Sequence, residues 1–102
     1  MKKYKVIITD EAITDIEKIY HYIAYDLLSP ENALKQNTRI LNAIFDLEKL
    51  PEKYALYDTK SKRLKNVRKM NVDNYAVYFI VNTNTVIVIS VLYGASNIIW
   101  LS

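Results

Sequence analysis

The apolar residues change from helical to strand spacing near the middle of this chain, and that change limits the fold more than any other feature. From Ile13 to Leu50 they recur three and four residues apart, which indicates amphipathic helices. From Leu64 onward they follow the alternation that is typical of strands. Because helices followed by a run of strands indicate an α+β domain, we expect a helical hairpin packed on a mostly antiparallel sheet.

The first predicted helix follows a short β-branched strand over residues 4–9. Thr9 or Asp10 can cap this helix, and Glu11 suits its first turn because the helix dipole is positive there. Its apolar stripe consists of Ile13, Ile16, Tyr20, Ile23 and Leu27. Off that stripe lie Asp15, Glu17 and Lys18.

The second predicted helix starts at Ser29, with Pro30 at the first helical position. It ends before Pro51, because a proline disfavours helical backbone in the residue that precedes it. Its apolar stripe is Ala33, Asn37, Ile40, Ile44 and Leu47, widened by Leu34, Leu41 and Leu50. The two or three residues between the helices predict an antiparallel hairpin.

Three further strands are predicted over residues 64–72, 75–81 and 86–93, joined by short polar turns. The predicted order is therefore β-α-α-β-β-β, with a four-stranded sheet. A chain of 102 residues is near the commonest domain size, so residues 1–102 are predicted to form one domain.

Composition excludes several classes of site. The chain has no cysteine, so it forms neither disulfides nor thiolate metal sites. Gly94 is its only glycine, so no glycine-rich phosphate loop is present. His21, the only histidine, is predicted to be a surface or boundary side chain. No apolar run is long enough for a signal peptide or a membrane helix, so we expect a cytoplasmic protein that uses no membrane, metal or other cofactor.

The segment KSKRLKNVRKM, residues 60–70, has six cations and no acid, although the net charge of the chain is only +3. Because strand side chains alternate between faces, one face is predicted to carry Arg63, Lys65, Val67, Lys69 and Asn71, and the core face Leu64, Asn66, Arg68, Met70 and Val72. An arginine on the core face suggests a structural contact. The basic face is either a binding surface or an edge strand that charge protects from aggregation.

The stretch VRKMNVDNYAVYFIVNTNTVIVISVLYGASN resembles the C-terminal half of the RelE/ParE family, the toxins of bacterial type II toxin–antitoxin modules. That family has an arginine strand, a turn into a tyrosine strand, and a last strand that ends in a Leu-His/Tyr-Gly motif. Arg68, Tyr75, Tyr93 and Gly94 stand at those places. The preceding strand and helical hairpin match as well, so the resemblance covers essentially the whole chain.

The resemblance implies a small toxin that is held silent by an acidic, partly disordered antitoxin. RelE-like members cut messenger RNA in the ribosome, whereas ParE-like members poison DNA gyrase. The predicted surface for the acidic antitoxin is the basic strand, with Arg63, Lys65 and Lys69. The apolar segment around Trp100, residues 98–101, is expected to pack on the sheet or helices or to be covered by a partner.

The sequence contains only some of the residues that RNA cleavage by RelE-like nucleases uses. Cleavage through the 2′-hydroxyl needs a base and cations for the phosphorane charge, and RelE-like nucleases use lysines, arginines and a C-terminal tyrosine. Here Val67, Ala76 and Ser96 stand at positions where basic residues would be expected. We therefore favour a ParE-like gyrase poison without enzymatic activity. One alternative is a ribosome-dependent endoribonuclease that uses Lys65, Lys69 and Tyr93; another is a non-toxic family member that acts only as a binding domain.

Overall fold

The secondary-structure elements follow the predicted order. A computed structural model of the protein describes residues 3–58 and 65–94. Its elements are β1 (Lys5–Ile8), α1 (Asp10–His21), a π-helical turn (Tyr22–Asp26), α2 (Pro30–Asp46), a 3₁₀ turn (Pro51–Lys53), β2 (Val67–Val72), β3 (Tyr75–Asn82) and β4 (Thr85–Tyr93). The β-α-α-β-β-β order and the α+β class are thus confirmed.

The four strands form one mixed sheet in the order β1-β4-β3-β2. β1 runs parallel to β4, whereas β2, β3 and β4 form two antiparallel hairpins, so the mostly antiparallel sheet is confirmed. Both hairpins have two-residue turns. Asp73 and Thr83, the first central residues of these turns, have positive φ angles of 55° and 50°, the sign expected at that position of a type II′ turn.

The helix starts differ in how they are capped. Thr9 is the N-cap of α1, and its hydroxyl oxygen accepts a 3.2 Å hydrogen bond from the Ala12 N–H. α2 has Pro30 in its first turn as predicted, but the Ser29 side chain caps no backbone N–H. The Ser29 hydroxyl oxygen instead accepts a 2.7 Å hydrogen bond from the Asn32 side-chain amide.

The apolar stripe predicted for α1 is wrong at two positions. Ile13 and Leu27 are 43% and 55% exposed, whereas Ala12 is fully buried and Ile16 nearly so. The helix turns Ala12 towards the sheet because a small side chain permits close approach. The π-helical turn Tyr22–Asp26 also interrupts the 3.6-residue period before Leu27 is reached.

α2 buries most of its predicted stripe, namely Ala33, Ile40, Ile44 and Leu47. Gln36 is buried where the stripe had Asn37, and Leu34 and Leu50 are exposed. The Gln36 side-chain amide and the Arg39 guanidinium donate hydrogen bonds of 2.9 and 2.7 Å to the Asp73 carboxylate. Both bonds lower the pKa of Asp73, and the bond from Arg39 has the larger effect. They also tie α2 to the β2–β3 turn.

Apolar side chains form clusters on both faces of the sheet. The larger cluster lies between the helices and the inner face of the sheet, and includes Ile40, Ile44, Val77, Phe79 and Val88. A smaller one, on the outer face that is turned away from the helices, is built on Val67, Ala76 and Tyr78. Within the described residues, no helix is long and apolar enough to cross a membrane.

Candidate functional site

The basic segment does not continue as a strand through Lys65. β2 begins at Val67, and Asn66 before it has a φ of 62°, outside the extended region. Lys65 is exposed and precedes the strand. The predicted single basic stripe over residues 64–72 is therefore wrong at Lys65, because the backbone turn at Asn66 ends the alternation. Arg63 and Leu64 lie outside the described residues.

Lys69 lies on the outer face, as the alternation predicts, but its ammonium group has aromatic partners. The Lys69 Nζ atom is 5.3 Å from the ring centroid of Tyr57 and 6.0 Å from that of Tyr78. At these distances a cation is attracted by the face of an aromatic ring. Val67, on the same face, is completely buried. Lys69 is thus a partly buried cation in an aromatic setting rather than one charge in an exposed row.

A short segment of chain covers the edge of β2 and carries Tyr57 to this position. The Tyr57 N–H donates a 2.7 Å hydrogen bond to the Val67 carbonyl, and the Lys69 N–H donates one of 3.3 Å to the Ala55 carbonyl. The Tyr57 ring then meets the Tyr78 ring edge to face, with centroids 5.3 Å apart. The Val67 carbonyl and the Lys69 N–H at the edge of β2 are therefore paired and not open to another strand.

Tyr78 is buried beneath Tyr57 and Lys69. Its burial, and then the neighbouring Tyr57, raise the pKa of Tyr78 to about 12. The phenol therefore stays protonated at neutral pH, where it is unsuited to act as a general base.

Arg68 lies on the opposite side of β2 and makes a structural contact of the kind expected. Its guanidinium donates hydrogen bonds of 2.6 Å to the Tyr54 carbonyl and 3.2 Å to the Glu52 carbonyl. These carbonyls belong to the segment that leads to Tyr57. Arg68 therefore fixes the chain that covers β2.

Tyr75, Tyr93 and Gly94 come together where β3 begins and β4 ends. Tyr75 is the direct strand partner of Tyr93, and the two rings meet edge to face with centroids 6.0 Å apart. The Gly94 N–H donates a 2.8 Å hydrogen bond to the Asn74 carbonyl. A Cβ atom at Gly94 would lie only 3.2 Å from that carbonyl oxygen, so the close approach favours glycine.

A groove opens beside this tyrosine pair. Its volume is about 410 Å³, and it is lined by Lys18, Ile19, Tyr22, Tyr75 and Tyr93. We call it the tyrosine groove. Burial, followed by the nearness of Tyr22 and Tyr93, raises the pKa of Tyr75 above its ordinary value. Lys18 is the one basic residue among the lining residues, three of which are tyrosines.

The structure does not bring the three candidate nuclease residues together. Tyr93 pairs with Tyr75, which pairs with Val72 of β2, so these three residues share the inner face. Lys69 lies three positions before Val72 and therefore faces the other side of the sheet. Lys65 lies outside the strand. Lys69 and Tyr93 are thus separated by the sheet.

The remaining candidate site residues include possible metal ligands, the single histidine and two residues near the C-terminus. Across residues 3–58 and 65–94, no three histidine, aspartate or glutamate side chains form a group that could hold a metal ion. His21 is exposed, as predicted, and stacks on Tyr25 with ring centroids 5.4 Å apart. Trp100 and Ser96 lie outside the described residues.

The sequence alone does not indicate roles for Tyr57 and Tyr22. Tyr57 lies in a polar stretch without periodicity, and only its pairing with β2 brings it to Lys69. Tyr22 follows Lys18 by four residues, so the sequence places the two on one helix face. Its partners Tyr75 and Tyr93 reach it only through the pairing of β3 with β4.

Both the sequence and the fold of this chain are similar to those of known proteins. Residues 6–98 match the family model described as the ParE toxin of the type II toxin–antitoxin system parDE. The fold is similar to a structure of the chromosomal ParDE TA system from P. aeruginosa, with a TM-score of 0.71 and 21% identity over 89% of this chain and 96% of that chain. It is also similar to the toxin–antitoxin complex RelBE2 from Mycobacterium tuberculosis, with a TM-score of 0.64 and 19% identity over 94% and 97% of the two chains.

No curated protein sequence is significantly similar to the chain. The family match nevertheless covers nearly all of it, from β1 through β4 and beyond. The similar structures agree with the mixed sheet and helical hairpin described above. The chain belongs to the ParE toxin family of type II toxin–antitoxin systems.

Proposed function

We propose that this toxin arrests bacterial growth by poisoning DNA gyrase when its antitoxin is absent, and that it does not cut RNA. The match to the ParE family model supports this choice of target. The proposal places the toxin in the cytoplasm, where gyrase acts.

The observation that carries the proposal is the separation of Lys69 from Tyr93 by the sheet. Cleavage of one phosphodiester needs a base at the 2′-hydroxyl, a cation at the phosphorane and a proton donor at the leaving oxygen, all within hydrogen-bond reach of one phosphate. Lys69 faces Tyr57 and Tyr78, whereas Tyr93 faces the tyrosine groove. Two groups on opposite faces cannot act on the same phosphate.

An acidic antitoxin is the partner that we propose for the resting state. Both similar structures are described as toxin–antitoxin systems. In this chain, Lys65 is exposed beside β2, and residues 60–70 contain six cations without an acid. An exposed cation such as Lys65, in a segment of this composition, favours an acidic partner and speeds its encounter.

Growth measurements and a gyrase assay test the proposal together. The chain is expressed from a tightly controlled promoter, alone and with its antitoxin, and soluble expression is confirmed in both cases. We expect growth arrest only without the antitoxin. Purified toxin should inhibit supercoiling by purified gyrase and increase gyrase-linked DNA breaks, whereas toxin already bound to antitoxin should do neither.

Primer extension on cellular transcripts tests the nuclease alternative. We expect no codon-positioned cuts after induction, and no difference between the wild type and Lys69→Ala in this assay. Cuts within minutes of induction that disappear in Lys69→Ala or Tyr93→Phe would overturn the gyrase proposal. Normal growth at confirmed soluble expression would instead favour a family member that only binds a partner.

A further inference from the structure

A second depression lies next to the tyrosine groove along α1. It has a volume of about 350 Å³ and is lined by Asp10, Glu11, Thr14, Asp15 and Lys18. Lys18 also lines the tyrosine groove, so the two depressions meet at this side chain and follow one flank of the helix. We call the two together the α1 cleft. It runs from the first turn of α1 to the residue that follows the helix.

The two ends of the α1 cleft differ in chemistry. At the tyrosine end, Tyr22 is 51% exposed and Tyr93 53% exposed, so both rings are open to a ligand. At the other end, Asp10, Glu11 and Asp15 each supply a carboxylate to the lining. Within the described part of the chain, Asp10 and Glu11 take part in no ion pair. One end is therefore aromatic, and the other is negatively charged.

We infer that the α1 cleft binds an extended segment of a partner protein that has a basic side chain near one end and an aromatic side chain near the other. Asp10 and Glu11 attract the basic side chain. The rings of Tyr22 and Tyr93 accept the aromatic side chain in edge-to-face or offset contacts, which aromatic pairs prefer. Between them, the Lys18 ammonium has three N–H donors that suit the backbone carbonyls of an extended segment.

The length of α1 sets the spacing of the two side chains in the partner. The helix has 12 residues, from Asp10 to His21, and Tyr22 follows it directly. At 1.5 Å per helical residue, Asp10 and Tyr22 are about 18 Å apart along the helix axis. An extended chain advances about 3.3 Å per residue, so its basic and aromatic residues should be about five positions apart.

Charge favours this occupant over an acidic antitoxin segment or a nucleic acid. Three carboxylates line the cleft against the single ammonium group of Lys18, and like charges that face each other weaken binding. The surface is also distinct from the basic segment, because that segment precedes β2, whereas Tyr93 ends β4, and β3 lies between these strands. The inference does not depend on gyrase as the target.

Binding of short synthetic peptides to the full-length protein tests the inference. The protein is made with ¹⁵N label by cell-free synthesis, which growth arrest does not limit. The probe has blocked ends and carries one lysine and one phenylalanine separated by four serines. We expect it to shift the amide signals of Glu11, Lys18 and Tyr22 in one saturable titration, with a Kd in the millimolar range. A peptide with glutamate in place of the lysine, and one with a single serine between lysine and phenylalanine, should each bind several-fold more weakly.

Variants of the protein give a second measurement. Glu11→Lys and Tyr22→Ala should each weaken binding of the probe several-fold. Glu17→Lys and Tyr25→Ala are the matched controls, because both residues are exposed but neither lines the cleft. Amide signals away from the cleft show that each variant is folded.

Three results would overturn the inference. The first is the absence of saturable shifts up to millimolar concentrations of the probe. The second is equal affinity for the lysine and glutamate peptides, which would show that the carboxylates do not select the ligand. The third is an equal effect of the cleft variants and their controls. The peptide comparison uses only the wild-type protein, so it decides the question even where a variant fails to fold.

Discussion

Asp15 of α1 accepts a 2.6 Å hydrogen bond from the hydroxyl group of Ser90 in β4. The same carboxylate oxygen accepts a 3.1 Å bond from the Val91 N–H. The register between β3 and β4 shifts at this point, because Tyr78 pairs with Ser90 whereas Phe79 pairs with Val88. Such a β-bulge leaves backbone groups without ladder partners. Asp15 supplies an acceptor there and joins the helix to the irregular part of the strand.

Replacing Asp15 should destabilise the fold more than replacing another acid on the same helix. Asp15→Ala leaves the Val91 N–H and the buried Ser90 hydroxyl without this acceptor, and we expect a loss of about 1–3 kcal/mol in the free energy of unfolding. Asp15→Asn keeps an acceptor oxygen and should lose less. Glu17→Ala, at an exposed position, should change stability by less than about 0.5 kcal/mol. Urea unfolding of the three variants measures this; equal midpoints for Asp15→Ala and Glu17→Ala would contradict the structural role.

Stability should fall at high pH because of Tyr78. The pKa of Tyr78 is about 12 in the folded protein and has an ordinary value of 10.0 in an unfolded chain. Between these values the unfolded state loses the proton first, so the free energy of unfolding decreases as pH rises from about 10 to about 12. Tyr78→Phe should remove this part of the decrease. If the wild type and Tyr78→Phe lose stability in parallel across this window, Tyr78 is not the group responsible.

Arg68 should control the segment that covers β2. In Arg68→Ala the carbonyls of Glu52 and Tyr54 lose a charged donor, which we expect to lower the free energy of local opening by about 1–3 kcal/mol. Amide hydrogen exchange of the Tyr57 and Lys69 N–H groups should therefore accelerate. Arg39→Ala, which removes an exposed contact to Asp73 elsewhere, is the matched control. Unchanged exchange at Tyr57 in Arg68→Ala would show that the segment is held by other contacts.

Antitoxin association should be electrostatically steered by Lys65. The rate constant for association with the antitoxin should fall several-fold between low and physiological salt. Lys65→Glu should lower the low-salt rate further without changing the fold, because Lys65 is exposed outside the strand. Lys35→Glu makes the same charge change on α2 and should have a smaller effect. Stopped-flow rates that are identical for the three proteins at both salt concentrations would argue against a docking role for the basic segment.

The sequence predicted the fold well where periodicity and local signals agreed. Pro30 begins α2 as predicted, and the turn residues Asp73 and Asn74 mark the first hairpin. The predicted end before Pro51 is less accurate, because α2 ends at Asp46. β3 and β4 are each one residue longer than predicted, because the turn between them contains only Thr83 and Asn84. These features depend on residues close together in the chain, which a single sequence displays.

Contacts between distant residues explain most of the differences. Asp15 lies off the predicted apolar stripe, and nothing near it in the chain indicates a bond to Ser90, 75 residues away. The strand alternation predicts the correct face for Lys69, but its aromatic partners Tyr57 and Tyr78 come from two other segments. No pattern in the sequence indicates the positive φ of Asn66, which ends the basic stripe earlier than predicted. The secondary-structure propensities of single residues do not reveal side-chain contacts that form only in the tertiary fold.

The parallel pairing of β1 with β4 has a consequence for synthesis. Lys5 lies opposite Thr85, so β1 is made long before its strand partner emerges. Val86, Val88 and Val91 of β4 also complete the larger core cluster. Folding must therefore wait for contacts of long sequence separation, which are slow to form. We expect nascent chains that stop before β4 to remain unfolded, because the strand that completes both the sheet and the larger core cluster is the last one to be made.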